Sequence, residues 1–320
     1  MLVGNTFHSE EEVVGPIPTP GTMICVYLVN EEPAYIGMLS LSLKMLRQHN
    51  PNVPVIVYYV QDGKRDSRKI PLTEITRALN KLPNDYASFS NLCEELNVEI
   101  RVRKPKQEEA YYSLHRLLLQ EIEEETVLLL DGDTFIFGNI EEFPKIYAGY
   151  DFVATPNSWG MVHPVPGLDP SFKSFNSGVV LCQNGIFKRW MNTIGDYCQR
   201  LYDGRHPQSE WLWSVSLECA GREELAASLF VLDNGLKYRY FEDQHVQMGS
   251  YDGNTRILHT LSPSWHSLYN ECFKPQRRML FKPRLKNDAD ASREADDDLD
   301  YPPEADGNTA NAQAEQPSFE

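Results

Sequence analysis

The residues best suited to chemistry lie in Thr126–Asn139, which reads Thr-Val-Leu-Leu-Leu-Asp-Gly-Asp-Thr-Phe-Ile-Phe-Gly-Asn. Asp131 and Asp133 flank Gly132. Hard divalent cations take oxygen ligands, and Mg2+ or Mn2+ sites use one or two carboxylates completed by substrate phosphates. Gly132 leaves room for a ligand to approach the backbone. Asp-x-Asp alone is common in acidic chains as a turn or cap, so its weight comes from what precedes it. Val127–Leu130 is a continuous apolar run, the pattern of a strand buried on both faces as inside a parallel sheet. Open α/β sheets bind ligands outside the carboxyl ends of their strands. Both carboxylates then stand at the mouth of a cleft.

A sheet must hold that strand, and the pattern along the chain supplies one. Met23–Val29, Val55–Val60 and Val98–Val102 read as strands. Gly37–His49 has apolar residues at helical spacing, stopped by Pro51 and Pro54, and Thr73–Leu82, Ser88–Leu96 and Tyr111–Glu124 read as helices. Further strands are expected at Phe152–Thr155, Gly178–Cys182 and Arg256–His259. Alternating strands and helices with right-handed crossovers predict an α/β fold with a doubly wound sheet. One domain is expected over 22–286, after a Pro-rich leader at 1–21 and before an acidic tail at 287–320.

Composition narrows the class. At 320 residues and 41% hydrophobic content the chain can bury a large core without disulfide staples. Its six cysteines form no Cys-x-x-Cys, and several sit in apolar runs, which reads as reduced, packed thiols. No basic n-region or apolar run of membrane length is present, so a cytoplasmic protein without a transmembrane segment is expected. Of the net charge of −16, the tail alone holds eleven acidic side chains against one basic. Its composition cannot offset the entropy of ordering, so it is expected to be disordered. The body carries no dominating basic face, which argues against nucleic-acid binding. A basic cluster (Lys274, Arg277, Arg278, Lys282, Arg284, Lys286) precedes the tail. It reads as a solvated surface element or a phosphate-facing patch.

Four stretches, in this order, resemble nucleotide-sugar transferases of the GT-A type, and among them the glycogenin-like glycosyltransferase family eight. They are Leu28–Gly37 with the Leu-Ser-Leu-Ser-Leu-Lys helix after it, Leu129-Leu-Asp-Gly-Asp-Thr134 with Gly138-Asn-Ile140, Phe175-Asn-Ser-Gly-Val179, and Ile257-Leu-His-Thr260. The resemblance implies a GT-A type doubly wound mixed sheet flanked by helices. It also implies that Asp131, Asp133 and His259 bind Mn2+ (or Mg2+) together with the donor diphosphate. Leu28 and Asn30 would line a uracil pocket that Tyr35 could cover, and Gly132, Ser177 and Gly178 would border the donor. Asn176, unfavoured in a strand, would serve the donor sugar or acceptor side. Glu210, beside Gln208, is the candidate for the family's acid near a glutamine, although the usual Asp-Gln pair is absent there. The family's lysine before the Asp-x-Asp strand is replaced by His115 and Arg116. Its late Gly-Lys-Pro-Trp segment is missing, so phosphate contacts would fall to His266, Lys274 or Arg277.

For every one of these residues a plainer role exists. His259 follows Ile257 and Leu258 and could be a packed core histidine, Tyr35 a packing aromatic, and Glu210 a helix-start carboxylate. The leading expectation is a metal-dependent glycosyltransferase taking a nucleotide-diphosphate sugar, UDP-linked and with retention by resemblance. Its acceptor (glycan, protein, lipid or small molecule) and any homodimer are left open. One alternative is a haloacid-dehalogenase-type phosphatase or phosphotransferase, whose aspartates also end a buried strand. That class wants Thr or Val two residues after the second aspartate, where this chain has Phe135. The other alternative is a non-catalytic binding protein on a degenerate transferase fold.

Overall fold

The computed structural model describes residues 22–61, 82–83, 85–105, 112–156, 172–202, 220–249 and 253–260. In chain order these give β1 (Ile24–Asn30), α1 (Pro33–His49), β2 (Val55–Val60), α2 (Tyr86–Glu95), β3 (Glu99–Arg103) and a 3-10 helix (Tyr112–Leu119). There follow β4 (Val127–Asp131), β5 (Thr134–Ile136), the single turn α3 (Phe143–Ile146), β6 (Phe152–Pro156), β7 (Phe175–Cys182) and α4 (Ile186–Tyr202). Next come α5 (Ala220–Asp233), β8 (Tyr238–Tyr240), β9 (Val246–Met248) and β10 (Ile257–His259). The expected leader, all but Leu82 of the expected Thr73–Leu82 helix, the basic cluster and the acidic tail lie outside the described residues.

The main sheet runs β3-β2-β1-β4-β7-β6-β8, and a small second sheet runs β5-β10-β9. β1 is parallel to β2 and β4, whereas β7 is antiparallel to both β4 and β6. The expected mixed α/β sheet flanked by helices is therefore present. One detail differs: β4 is not inside an all-parallel sheet. Its apolar run reflects burial on both faces, which an antiparallel neighbour allows equally well. Strand periodicity divides the core in two. Ile24, Val26, Val127 and Leu129 join α4 and α5 on one face, while Cys25, Tyr27, Leu128 and Leu130 join α1 on the other.

The local differences from the sequence reading have identifiable causes. α1 begins at Pro33, not Gly37, because proline in the first turn has its φ preset and loses no hydrogen bond. The helix expected over Tyr111–Glu124 is a 3-10 helix ending at Leu119. Three residues per turn place Arg116 and Leu119 on one face. Arg116 reaches Asp131 while Leu119 enters the core. β7 extends back to Phe175 through Asn176, whose side chain accepts from Gly178 N, and its register against β6 shifts between Ala154 and Thr155. Cys25, Cys93 and Cys182 are buried free thiols, Cys198 is buried too, and burial pushes the Cys25 and Cys93 thiols up to about 12. These thiols are inert packing groups.

Arg47, near the end of α1, donates to four main-chain carbonyls: Leu96, Asn50, Val53 and Asn97. It ties the α1–β2 loop to the α2–β3 turn. Arg47→Met should cost about 2 kcal/mol or more by leaving several carbonyls poorly satisfied. Arg47→Lys should restore little of it, because one ammonium cannot span the guanidinium's fork. Urea melts of the three proteins check this, and full recovery by lysine would contradict it.

Candidate metal centre

β4 ends at Asp131, and the chain turns through Gly132 and Asp133 into β5. Alternation along β4 puts Asp131 on the side of Val127 and Leu129, facing the 3-10 helix, α4 and α5. The buried Arg116 donates from Nη2 to Asp131 Oδ1 at 3.0 Å and to Ser177 Oγ at 3.3 Å. β5 then pairs antiparallel with β10, with Thr134 opposite His259. That pairing carries the late histidine to the aspartate turn. His259 Nε2 lies 3.3 Å from Asp133 Oδ1 and 3.8 Å from Asp131 Oδ2.

Ligand atoms of Asp131, Asp133 and His259 all lie within 4.8 Å of one another, so the three could hold a metal ion. The two carboxylate side chains remain 26% and 19% exposed, and His259 only 5%. A ligand can thus reach the carboxylates from solvent while the ring is fixed from behind. Among the described residues His259 Nδ1 is buried with no hydrogen-bond partner. Its other nitrogen, Nε2, faces both carboxylates, so the ring is aimed at the aspartate turn. Two carboxylates and an imidazole converging on one point fit a divalent cation in chemistry as well as position.

The turn is pinned at both carbonyls. Thr134 Oγ1 donates to Asp131 O at 2.7 Å, and Thr260 donates to Asp133 O from N at 3.0 Å and from Oγ1 at 2.9 Å. Charges in the site are mutually dependent. Burial pushes the Asp131 carboxyl above its ordinary range, the Asp133 charge adds to that, and Arg116 and His259 oppose it. Burial acts to lower His259, but Asp133, Asp131 and Glu224 outweigh it and hold the imidazolium above its ordinary value. The cluster is thus a proton reservoir that a cation would discharge.

Gly178 makes the ring's position possible. A Cβ there would stand 2.1 Å from His259 Cε1, a distance real contacts do not reach. Gly178→Ala should therefore displace the buried ring. We expect a loss of about 1–3 kcal/mol from overpacking together with loss of Mn2+-induced thermal stabilisation. Melting curves with and without Mn2+ check both, and wild-type behaviour would show that the ring has other room.

The structure places the remaining expected residues as follows. Leu28 pairs with Asp131 across β1 and β4, and its carbonyl is 3.9 Å from where a Gly132 Cβ would be. Asn30 ends β1 buried, its Oδ1 accepting from Glu32 N at 3.3 Å. Tyr35 packs against the core on the α1 face. His115 lies in the 3-10 helix, but its side chain is outside the described residues, as are Glu210, Gln208, His266, Lys274 and Arg277 altogether. Asn176 Nδ2 donates to Glu224 Oε1 at 2.8 Å. Glu224, on α5, is the carboxylate that the sequence reading missed. Glu224 and Ser228 are four apart on α5, and Phe175 N donates to Ser228 Oγ, so both residues meet the β7 segment that carries Asn176.

No protein-family model and no curated protein matches this sequence. Among solved structures the chain is similar to the glycosyltransferase GlyE of Streptococcus pneumoniae TIGR4, at 17% identity and TM-score 0.45 over 74% of this chain. It spans about half that protein's length, 54%. It is also similar to the galactosyltransferase LgtC in complex with donor and acceptor sugar analogs, at 16% identity and TM-score 0.46 over 81% of this chain and 95% of that one. At such identities and scores neither likeness assigns an activity to this chain.

Proposed function

We propose that this protein is a metal-dependent glycosyltransferase of the GT-A type that takes its sugar from a nucleotide-diphosphate donor, UDP-linked, with retention. The observation that carries the reading is the convergence of Asp131, Asp133 and His259 at the carboxyl end of β4. Those three residues would hold the cation, and a mixed carboxylate–imidazole set suits Mn2+ better than Mg2+. When bound, the metal supplies a Lewis acid that neutralises the leaving diphosphate.

The chain's own groups do the rest. Arg116, held between Asp131 and Ser177, adds a fixed positive charge beside the carboxylates. Leu28 and Asn30, at the end of β1, border the same end of the sheet and suit the base. Asn176 is oriented at both ends, with Oδ1 on Gly178 N and Nδ2 on Glu224. This amide–carboxylate pair can stabilise an oxocarbenium-like transition state, since preorganised dipoles aimed at developing charge need no reorganisation. We assign to Glu224 the acid role that the sequence reading gave to Glu210. The buried free thiols suit a reducing compartment, in keeping with a cytoplasmic protein. Among the described residues no helix is long and apolar enough to cross a membrane.

The test is to incubate the protein with a panel of nucleotide sugars and Mn2+ and follow free nucleotide diphosphate. UDP release from one donor supports the reading. Inorganic phosphate from phosphomonoesters with no nucleotide released would replace it with the phosphatase alternative.

A further inference from the structure

β10, which carries His259, lies between β5 and β9 in the small sheet. On the β9 side, Met248 pairs with His259, Gly249 N donates to His259 O at 2.9 Å, and Ile257 N donates to His245 O at 2.9 Å. β9 is the last strand of that sheet, so its backbone has a neighbour on one side only. Its hold on the rest of the fold therefore depends on side chains. Val246 enters the core, and the buried His245, just ahead of β9, meets Tyr147 with 2.6 Å between Nδ1 and the phenol oxygen. Tyr147 is buried too, and Gln183, just past the end of β7, donates from Nε2 to the Tyr147 carbonyl at 2.9 Å. A path of measured contacts thus runs from the end of β7 through Tyr147 and His245 to the start of β10.

The protons along this path are fixed by chemistry. Glu242 N donates to the Tyr147 phenol oxygen at 3.1 Å, and an amide N–H can only donate. Burial raises the phenol above its ordinary range, so it keeps its own proton. That proton, inside the fold, goes to His245 Nδ1, because a buried donor left unpaired is costly. The ring is then neutral, with Nδ1 accepting and the hydrogen on Nε2. A proton added to Nδ1 would meet the phenol's proton head on. The surroundings also disfavour the imidazolium. Phe143 and Phe241 line the pair, with Phe143 5.5 Å from the His245 ring and Phe241 5.2 Å from the Tyr147 ring. Burial lowers the His245 pKa, Arg256 ahead of β10 lowers it further, and Glu242 opposes them. Arg256 is paired with Glu142 beside α3, and Arg239 of β8 with Glu242, while Lys145 of α3 is exposed.

We propose that Tyr147 and His245 are positioning residues, a hydrogen-bonded peg that fixes β9 against the main sheet, and so supports the His259 strand, and that opens when His245 is protonated. The consequence for metal rests on the proposed metal centre, whereas the peg's geometry does not. The sign separates it from His259. A released His245 ring takes up its proton near the ordinary 6.5. The peg is therefore complete above about 6.5 and weakens as pH falls towards the lowered folded value. His259, whose pKa is raised, is already protonated in that window and adds no slope there.

The experiment uses the full, metal-free chain. Hydrogen–deuterium exchange, corrected for the intrinsic pH dependence of exchange, follows peptides covering β9 and β10, with a β2 peptide as reference. Their protection should fall severalfold between pH of about 6.5 and 5.5 while the β2 peptide holds. His245→Asn places an amide oxygen where Nδ1 stands, so it should keep the neutral-pH protection and abolish the acid loss. Tyr147→Phe should lower protection already at neutral pH, and weaken Mn2+ severalfold in titration calorimetry at one mildly alkaline pH, where His245→Asn should match the wild type. Nitrogen-15 histidine spectra, assigned with His245→Asn, should show His245 neutral with its hydrogen on Nε2. A hydrogen on Nδ1, protection flat from neutral pH to about 5.5, the same acid loss in His245→Asn, or equal loss in the β2 peptide would each overturn the peg. Unchanged Mn2+ affinity in Tyr147→Phe would overturn its positioning role. Should Tyr147→Phe not fold, the wild-type series and His245→Asn still decide. If the wild type binds no Mn2+, the metal reading fails, and exchange and tautomer still decide the peg.

Discussion

Asp133→Asn should abolish Mn2+-dependent turnover while leaving the melting temperature of the metal-free protein nearly unchanged. The substitution keeps the shape of the side chain and an oxygen facing His259 Nε2, now 3.3 Å from Asp133 Oδ1. It removes one of two carboxylates and thus one formal charge from the cation's ligand set. Single electrostatic contacts to a transition state are worth about two to three orders of magnitude in rate, and losing a charged ligand should cost at least that. Stability should move little, by about 1 kcal/mol or less, because the turn keeps its pins and relief of the Asp131–Asp133 repulsion offsets the lost attraction to His259. Thr260 still holds the Asp133 carbonyl, Thr134 the Asp131 carbonyl, and Asp131 still faces the imidazole. Nucleotide release and a melting curve, each with and without Mn2+, check the two halves. Full activity in Mn2+ would remove Asp133 from the centre. A collapse of the metal-free melting temperature would make it a structural carboxylate.

The sequence made the motif strand legible because burial on both faces leaves an unbroken apolar run, and Val127–Leu130 shows it. The two parallel strands β1 and β2 were readable for the same reason. Direction was not readable: nothing in Gly178–Cys182 says that β7 runs antiparallel to β4, because side-chain burial is indifferent to it. The three-residue strands β5, β8, β9 and β10 are too short for periodicity, and of these only β10 was expected, as Arg256–His259. Among the candidate ligands the aspartates announced themselves by local spacing. His259 needed the resemblance, since its approach depends on the β5–β10 pairing across the whole later half of the chain. Glu224 escaped because a helix carboxylate ahead of an apolar run looks like any solvated first turn. Only the contact with Asn176 distinguishes it.

Mn2+ affinity should rise with pH well past the ordinary histidine range, and His259→Gln should flatten that rise. In the metal-free protein burial works against the imidazolium, but Asp133, Asp131 and Glu224 outweigh it, so His259 keeps its proton above the usual pKa of 6.5. A protonated ring cannot ligate, and metal must displace that proton. While one proton leaves per metal bound, affinity gains up to about tenfold per pH unit, levelling only above the raised pKa. The sign for stability follows from the same shift. A histidine whose folded pKa is raised stabilises the metal-free fold fully below about 6.5 and loses that contribution as pH climbs through the folded value. The metal-free melting temperature should therefore fall across that window, while the Mn2+-saturated protein, whose ring is neutral and ligated, should not follow it. Glutamine offers a carbonyl oxygen but no titrating nitrogen, so the variant should bind Mn2+ more weakly with little pH dependence between about 6 and 8. Calorimetric titrations at several pH values, paired with melting curves, read both effects. A wild-type affinity that levels at pH 6.5, or a variant with the wild-type slope, would take His259 out of the centre and leave the two aspartates as its supported ligands.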